Sequence, residues 1–252
     1  MTAATKAELR RAGGVGKAVT PKPPSKWLMA AEMPRAIFGA VELVVKSRGL
    51  RSAPRGDGRP VIILPGLVNP DWANLTLRRY LRKLGYDARG WGLGHNLGAK
   101  STGADGAKLD ALVHRVHVET GRKVTLIGIS LGGMMARLMA HRWPDEVAEV
   151  ITISSPFAGD PRATNVWRVF EWLTGERIDD PKVRADTAVL AAEPPVPTTA
   201  IWSASDGLVS GAICRTDNCR SIEVKSGHLW VQMRASVLRA VAETLGQSRQ
   251  IW

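Results

Sequence analysis

A serine between two glycines stands where a short apolar run gives way to a helical pattern. The segment Gly128-Ile129-Ser130-Leu131-Gly132 follows the apolar residues 124–127 and precedes the helix-like stretch 134–143. A hydroxyl held out on such a sharp turn can attack a carbonyl carbon, and the glycines let the chain close around it. The amides that open the following helix favour a developing oxyanion. The spacing therefore predicts that Ser130 is a nucleophile.

A serine hydroxyl needs a base, and the base needs a carboxylate that orients it. His228 lies just beyond the apolar run 222–224, and Asp206 lies just beyond the run 199–202. The carboxyl ends of parallel strands share one edge of an open sheet, where such sheets bind their ligands. We therefore expect Asp206 and His228 to complete a catalytic triad with Ser130.

Two other residues compete for these roles. His141 follows the serine on the same predicted helix by about three turns, which is too far for a hydrogen bond. Asp217 is a competing carboxylate, but its neighbours predict a loop. We therefore prefer His228 as the base and Asp206 as its partner.

The negative oxygen that forms on an attacked carbonyl needs hydrogen-bond donors. We expect one from the backbone N–H of Leu131 and a second from the backbone N–H of Leu67, which follows Pro65-Gly66. Gly66 lets the backbone approach the site closely. One such donor is typically worth about 10²–10³ in rate.

The elements that must position these residues alternate along the chain. Short apolar runs predict strands, and the amphipathic stretches between them predict helices. The predicted strands are 61–64, 86–91, 124–127, 150–153, 199–202 and 222–224, and the predicted helices are 71–84, 109–118, 134–143 and 229–245. Continuous apolar strands separated by helices indicate an α/β fold whose mostly parallel sheet is covered on both faces.

The stretch 157–197 interrupts this alternation and ends in a proline-rich segment. We interpret it as a short helical cap insertion over one end of the sheet. Trp167, Phe170 and Trp172 lie on its predicted helix. They belong either to the core or to a lid that binds an acyl chain, for which aromatic rings offer rigid apolar area.

The first sixty residues carry most of the positive charge. They contain twelve basic and four acidic residues, which accounts for +8 of the net +12 of the 252-residue chain. We divide the chain into a flexible basic arm over 1–26, an amphipathic helix and linker over 27–58, and the main domain over 59–252.

The amphipathic helix packs either on the domain or, aided by its basic flanks, on a membrane surface. Four residues that interrupt its apolar pattern argue against a membrane-spanning helix, namely Glu32, Pro34, Arg35 and Glu42. We expect a cytoplasmic protein, with peripheral membrane contact through the basic arm as an open alternative.

The segment 94–101 approaches the phosphate-binding pattern G-x-x-x-x-G-K-S, but Ala99 replaces its second glycine. A side chain at that point hinders the backbone from wrapping a phosphate. We instead expect a loop at the rim of the active site, with His95 and Asn96 lining the cleft.

Two further pairs have weak chemical meaning. His114 and His117 share one helical face without a third ligand nearby in the sequence, so we expect neither a metal nor another cofactor. Cys214 and Cys219 form either a local disulfide or, in a cytoplasmic setting, two ordinary thiols.

Five segments together resemble the α/β-hydrolase superfamily, in particular its small bacterial lipase- and esterase-like members. They are 61–67, 92–98, 128–133, 206–209 and 226–228, within roughly residues 59–246. The resemblance implies an α/β-hydrolase fold with Ser130 as nucleophile, His228 as base and Asp206 as its partner. Pro65-Gly66 departs from the His-Gly pair of many lipases, which bears on the second oxyanion donor.

The resemblance also implies a serine hydrolase that cleaves carboxylic esters of small molecules or lipids through an acyl-enzyme. Acyltransferases and thioesterases use the same triad and remain alternatives. Another is a basic protein on a hydrolase scaffold that binds a membrane or nucleic acid, although no nucleic-acid-reading motif is present and we expect no such partner. For a pure hydrolase, removal of residues 1–55 should leave activity on soluble esters intact.

Overall fold

A computed structural model describes residues 21–46, 49–217 and 219–248. The strands are β1 Pro60–Leu64, β2 Asp87–Gly90, β3 Val124–Ile129, β4 Val147–Ile153, β5 Thr198–Trp202 and β6 Arg220–Glu223. They form one sheet in the order β2-β1-β3-β4-β5-β6, and each neighbouring pair is parallel. The carboxyl ends of all six strands therefore lie at the same edge.

Helices connect these strands. They are α1 Lys26–Ala30, α2 Glu32–Lys46, α3 Leu75–Leu84, α4 Ala99–Thr102, α5 Ala107–Thr120, α6 Leu131–Arg142, α7 Trp167–Thr174, α8 Pro181–Ala191 and α9 Ala235–Ser248. No helix within the described residues is long and apolar enough to cross a membrane. The predicted helix 71–84 begins instead with a 3-10 turn over Asp71–Asn74, and α6 begins three residues earlier than predicted.

The core lies on both faces of the sheet because the central strands β1, β3 and β4 are mostly apolar and buried at every position. Val61 and Ile63 of β1 join a buried cluster with residues of α3 and α9. Ile62 and Leu64 of the same strand join a second cluster with residues of α5 and α6. This alternation confirms the predicted α/β fold with helices on both faces.

The segment before β1 lies against the domain through polar side chains and through apolar residues such as Leu43 and Leu50. Ser25 caps α1, and α2 follows after one residue. Arg234 donates to the carbonyl oxygen of Arg35 at 3.0 Å and forms an ion pair with Glu42 at 2.9 Å. The apolar side chains of α2 are mostly exposed, which reverses the usual arrangement of an amphipathic helix.

The insertion 157–197 contains two helices, α7 and α8, where the sequence predicted one. Arg137 of α6 is buried, stacks on Phe157, and donates to the carbonyl oxygens of Leu190 and Ala192 at 2.8 and 2.6 Å. At the other end, Lys100 of α4 donates to the carbonyl oxygen of Leu173 at 2.7 Å. The insertion is thus tied both to the helix that follows the predicted nucleophile and to α4.

Candidate active site

Ser130 occupies a strained turn between β3 and α6. Its backbone has φ 51° and ψ −118°, a conformation that L-residues seldom adopt and that is held here by the elements on either side. The turn closes tightly because Gly132 packs against β1, where an added Cβ would lie 2.7 Å from the Pro65 carbonyl oxygen. Ser130 remains partly exposed, so the hydroxyl is held out from the sheet as the sequence predicts.

The loop after β1 lies next to this turn. A Cβ added to Gly66 would be 3.4 Å from the Cβ of Ser130. Neither Leu67 nor Leu131 donates its backbone N–H to any acceptor among the described residues. Both amides are therefore available to an oxygen at the site. The same added Cβ would be 3.4 Å from the side-chain Nδ2 of Asn69. The sequence did not reveal Asn69 as a neighbour of the site.

Asn96 holds this loop in place. Its side-chain Nδ2 donates to the Pro65 carbonyl oxygen at 2.6 Å, and its own carbonyl oxygen accepts the N–H of Val68 at 2.7 Å. The side chain is completely buried, so Asn96 supports the loop after β1 and does not line the cleft as expected. His95 is exposed at the same rim.

Asp206 and His228, the predicted orienting carboxylate and base, lie in direct contact. The Nδ1 of His228 lies 2.8 Å from Asp206 Oδ2, and Asp206 Oδ1 accepts the N–H groups of Leu208 and Val209, each at 2.9 Å. A carboxylate can only accept, so Nδ1 carries the proton and Nε2 is left as a base. Nε2 and the Ser130 hydroxyl each lack a hydrogen-bond partner among the described residues.

The charges of Asp206 and His228 stabilise each other, which raises the pKa of His228 and lowers the pKa of Asp206. Burial opposes the charged imidazolium, but the neighbouring carboxylates of Asp206 and Glu32 outweigh it and raise the pKa of His228. Burial also opposes the Asp206 carboxylate, but His228 and two backbone N–H groups outweigh that and lower its pKa. Asp206 therefore stays ionised beside the ring.

Glu32 is a part of this site that the sequence interpretation missed. Although it precedes β1, its carboxylate accepts backbone N–H groups from Gly207 and His228, each at 2.7 Å, and from Leu229 at 2.9 Å. An ion pair with Arg35 at 2.7 Å completes its contacts. The only signal in the sequence is an acidic residue inside an apolar stretch, which we used solely to argue against a membrane span.

The competing residues lie elsewhere. His141 sits near the far end of α6, where burial lowers its pKa. Asp217 is exposed. Cys214 and Cys219 are free thiols and form no disulfide with each other.

The paired histidines of α5 also have ordinary partners. His114 contacts Glu146 at 2.9 Å and His117 contacts the Arg122 carbonyl oxygen at 3.0 Å. Within the described residues, no group of three or more metal-binding side chains is found.

The three aromatic residues of α7 are not core residues. Trp172 is 80% exposed, and Trp167 and Phe170 are half-buried. The side chain of Trp167 has the guanidinium groups of Arg162 and Arg168 over its ring. Their exposure favours the second of the two predicted roles, a lid or an acyl-binding wall.

The parallel sheet, the strained serine after β3 and the acid–base pair after β5 and β6 define a member of the α/β-hydrolase superfamily. Residues 77–215, just over half of the chain, match the family model described as serine aminopeptidase, S33. The chain belongs to this family. No curated protein sequence matches the chain.

Solved structures with the same fold include several lipases. The mature lipase BlEst2 of Bacillus licheniformis is 16% identical, with a TM-score of 0.54 over 77% of this chain and 94% of that one. A monoacylglycerol lipase of Paleococcus ferrophilus is 17% identical, with a TM-score of 0.53 over 76% and 96%. A structure described under the metagenome-derived lipolytic enzymes LipS and LipT is 13% identical, with a TM-score of 0.57 over 79% and 96%. At these identities the likeness concerns the fold.

Proposed function

We propose that this protein is a serine hydrolase that cleaves carboxylic esters. The observation that carries the proposal is the 2.8 Å contact between His228 Nδ1 and Asp206 Oδ2, which leaves Nε2 unprotonated at the sheet edge that Ser130 shares. Catalytic hydrogen bonds are often long before a substrate binds. We therefore infer that Ser130 and His228 come together across the bound ester.

The reaction follows from these groups. Ser130 Oγ attacks the ester carbonyl carbon as its proton passes to His228 Nε2, and the carbonyl oxygen accepts the N–H groups of Leu67 and Leu131. The bond to the alcohol then breaks, and the departing oxygen takes the proton from His228. Water then attacks the acyl carbonyl carbon and gives a proton to His228. The bond to Ser130 Oγ breaks, Oγ takes that proton back from His228, and the acid is released. Asp206 stabilises the imidazolium throughout without taking its proton.

We further propose a lipid-like or medium-chain acyl group as the substrate. Trp172 and Phe170 of α7 offer exposed and half-buried apolar surface for such a group, whereas the ring of Trp167 is covered by two guanidinium groups. The lipase names of two similar structures agree with such a substrate. The two free thiols suit a reducing compartment, so we place the protein in the cytoplasm.

The decisive experiment is labelling with a fluorophosphonate, combined with turnover of p-nitrophenyl esters of increasing chain length. We expect label on Ser130, loss of nearly all turnover in Ser130→Ala, and full activity in the matched control Ser221→Ala, whose side chain is exposed on β6. Alanine p-nitroanilide should be measured in parallel, because the family name refers to an aminopeptidase. Cleavage of the anilide but of no ester would overturn the proposal.

A further inference from the structure

The carboxylate of Glu32 joins the two loops that carry the acid–base pair. Oε1 accepts the N–H of Gly207, the residue after Asp206. Oε2 accepts the N–H of His228 itself and of Leu229. Glu32 therefore bonds to the backbone of both loops at once, although it lies at the first residue of α2 and outside the parallel sheet.

These contacts are built into the loops. Glu32 is only 2% exposed, and a buried carboxylate costs free energy unless its oxygens are all hydrogen-bonded. Here three backbone N–H groups and the Arg35 guanidinium satisfy them. Gly227 leaves the space that the carboxylate fills, since an added Cβ would lie 2.6 Å from Oε2. Arg35 also donates to the Ser205 carbonyl oxygen at 2.6 Å, which ties the same helix to the Asp206 loop a second time.

We infer that Glu32 is a positioning residue, which holds the Asp206 loop and the His228 loop at the separation that their hydrogen bond requires. This inference rests on the proposed function. The negative charge of Glu32 also favours the imidazolium, which adds a second and measurable consequence. Neither effect requires Glu32 to touch the substrate.

The test compares Glu32→Gln with Glu42→Gln, a matched change on the same helix whose carboxylate pairs with Arg234. Glutamine keeps the shape of the side chain but places an NH₂ against backbone N–H groups. We expect kcat for a p-nitrophenyl ester to fall by roughly 10-fold or more in Glu32→Gln, as expected when a catalytic group is misplaced. KM should change little, and the acidic limb of the pH profile should move to lower pH.

The imidazole titration of His228, followed by NMR, separates this inference from the proposed function. A lower midpoint in Glu32→Gln than in the unchanged protein and in Glu42→Gln would support the role of Glu32 even if no ester is turned over. Equal midpoints and equal kcat in all three proteins would overturn it. The inference would also be overturned if both variants lost the same activity and the acidic limb of the pH profile did not move in either. That result would show a merely structural role for Glu32.

A second inference rests on the opposite face of α2. The exposed side chains on this face are apolar, and with Trp27 of α1 they form one group, which we call the apolar stripe: Trp27, Met33, Ile37, Phe38, Val41 and Val45. Trp27 is 87% exposed and Phe38 is 74% exposed. Contiguous apolar surface of this kind marks an interaction site, because leaving it in water is costly.

Basic residues lie beside the same helix. Leu43 of α2 borders a cleft of about 490 Å³ with an apolar floor that includes Leu50 and Leu84. The charged residues that line this cleft are all cations, namely Arg51, Arg55, Arg79 and Lys83. Among the described residues, Arg51, Arg79 and Lys83 form no ion pair. The helix that carries the apolar stripe thus borders a cleft lined by unpaired cations, and apolar surface combined with cations is complementary to an anionic lipid surface.

We propose that the apolar stripe binds an anionic lipid–water interface, with the cleft cations contacting headgroup phosphates. The charge distribution favours lipid over a second copy of the chain, which would bring like charges together. The exposed Trp27 at the start of the stripe suits the headgroup level, where tryptophan is enriched.

The test is co-sedimentation of the full chain with phosphatidylcholine vesicles, with and without one third phosphatidylglycerol. We expect binding to the anionic vesicles, weakened by salt, and reduced at least about 10-fold by Phe38→Asp, because a charge in the apolar contact must be desolvated. Val118→Asp, at an exposed apolar position on α5, should bind like the unchanged protein. Arg79→Glu combined with Lys83→Glu should remove the preference for anionic lipid.

Three outcomes would overturn this second inference. One is a lack of vesicle binding by the unchanged protein. Another is a concentration-dependent dimer in analytical ultracentrifugation that Phe38→Asp abolishes, which would assign the stripe to a second copy. The last is binding that develops only after removal of residues 1–20, which would assign it to the chain's own first residues.

Discussion

At the scale of single residues, the site depends on which nitrogen of His228 is protonated. The Asp206 carboxylate fixes the proton on Nδ1, and two backbone N–H groups fix the carboxylate. The imidazole thus has one orientation and one tautomer before any substrate arrives, which reduces the reorganisation that the reaction requires.

The raised pKa of His228 predicts the pH dependence of ester hydrolysis. Only the neutral ring accepts the serine proton, so kcat/KM should fall as the pH drops through the pKa of His228. Because that pKa lies above the ordinary 6.5, the loss should begin at a higher pH than for a free imidazole. A pH profile of kcat/KM on a soluble ester measures the midpoint, and a midpoint below 6.5 would contradict the prediction.

Asp206→Asn should lower kcat by about 10⁴, because an amide can stabilise the wrong tautomer of the ring. The control is Asp217→Asn, which removes an exposed carboxylate from the next stretch of the same connection between β5 and β6. Steady-state kinetics on a p-nitrophenyl ester compares them. Similar losses in the two variants would show that Asp206 has no special role.

The sequence could nominate these residues because each carries a recognisable side chain at a strand end, and the structure places Asp206 and His228 in contact. Ser130, Asp206 and His228 could be assigned from the order of three chemical types. Glu32 could not, because it binds backbone N–H groups, and backbone groups have no sequence signature. Asn96 was noticed but given the wrong place, since only the structure shows that its amide faces Pro65 and not the cleft.

At the scale of elements, the contact between α6 and β1 sets the position of the nucleophile. Gly132 in the first turn of α6 lies against the carbonyl groups of Leu64 and Pro65. The helix can therefore begin directly at the sheet edge, and its first turn lies beside the loop after β1. The motif predicted a turn at this place, but not the strand against which it packs.

Gly132→Ala should destabilise the fold by at least about 2 kcal/mol, because the added methyl group overlaps backbone that cannot move aside. Gly49→Ala is the control, since its nearest neighbour would be 3.9 Å away in ordinary contact. Urea denaturation followed by tryptophan fluorescence gives both free energies of unfolding. A change below 0.5 kcal/mol in Gly132→Ala, on the order of an ordinary surface substitution, would refute the packing argument.

The alternation of strands and helices was predictable because the strands are apolar on both faces. The two helices of the insertion were harder to predict. Its second helix, α8, has little amphipathic pattern, and its place is set by the distant Arg137. The contacts of the polar side of α2 could not be predicted from the sequence either, because the residues that it contacts are distant in the chain, at positions 205, 207, 228 and 234.

At the scale of the whole molecule, two described residues before β1 contact the candidate active site. The sequence placed the boundary of the main domain at residue 59, and removal of residues 1–55 was expected to spare activity. Glu32 and Arg35 change that expectation, because both bind the loops of the acid–base pair.

Two truncations test this boundary. A chain starting at residue 21 should retain full activity on soluble esters, since it keeps every described contact of α1 and α2. A chain starting at residue 56 should lose most of it, with the acidic limb of its pH profile moved to lower pH. Circular dichroism checks that both are folded. Full activity in the shorter chain would show that the domain is complete without α2.

The buried guanidinium of Arg137 fixes one of the two helices of the insertion, α8, to α6. Burial lowers its pKa to about 10, yet it stays charged near neutrality, and its acceptors are the carbonyl oxygens at the end of α8. Detaching α8 would strand a cation in the interior. We therefore expect α8 to keep its position when a substrate binds, so that any movement of the insertion that admits a substrate takes place in α7.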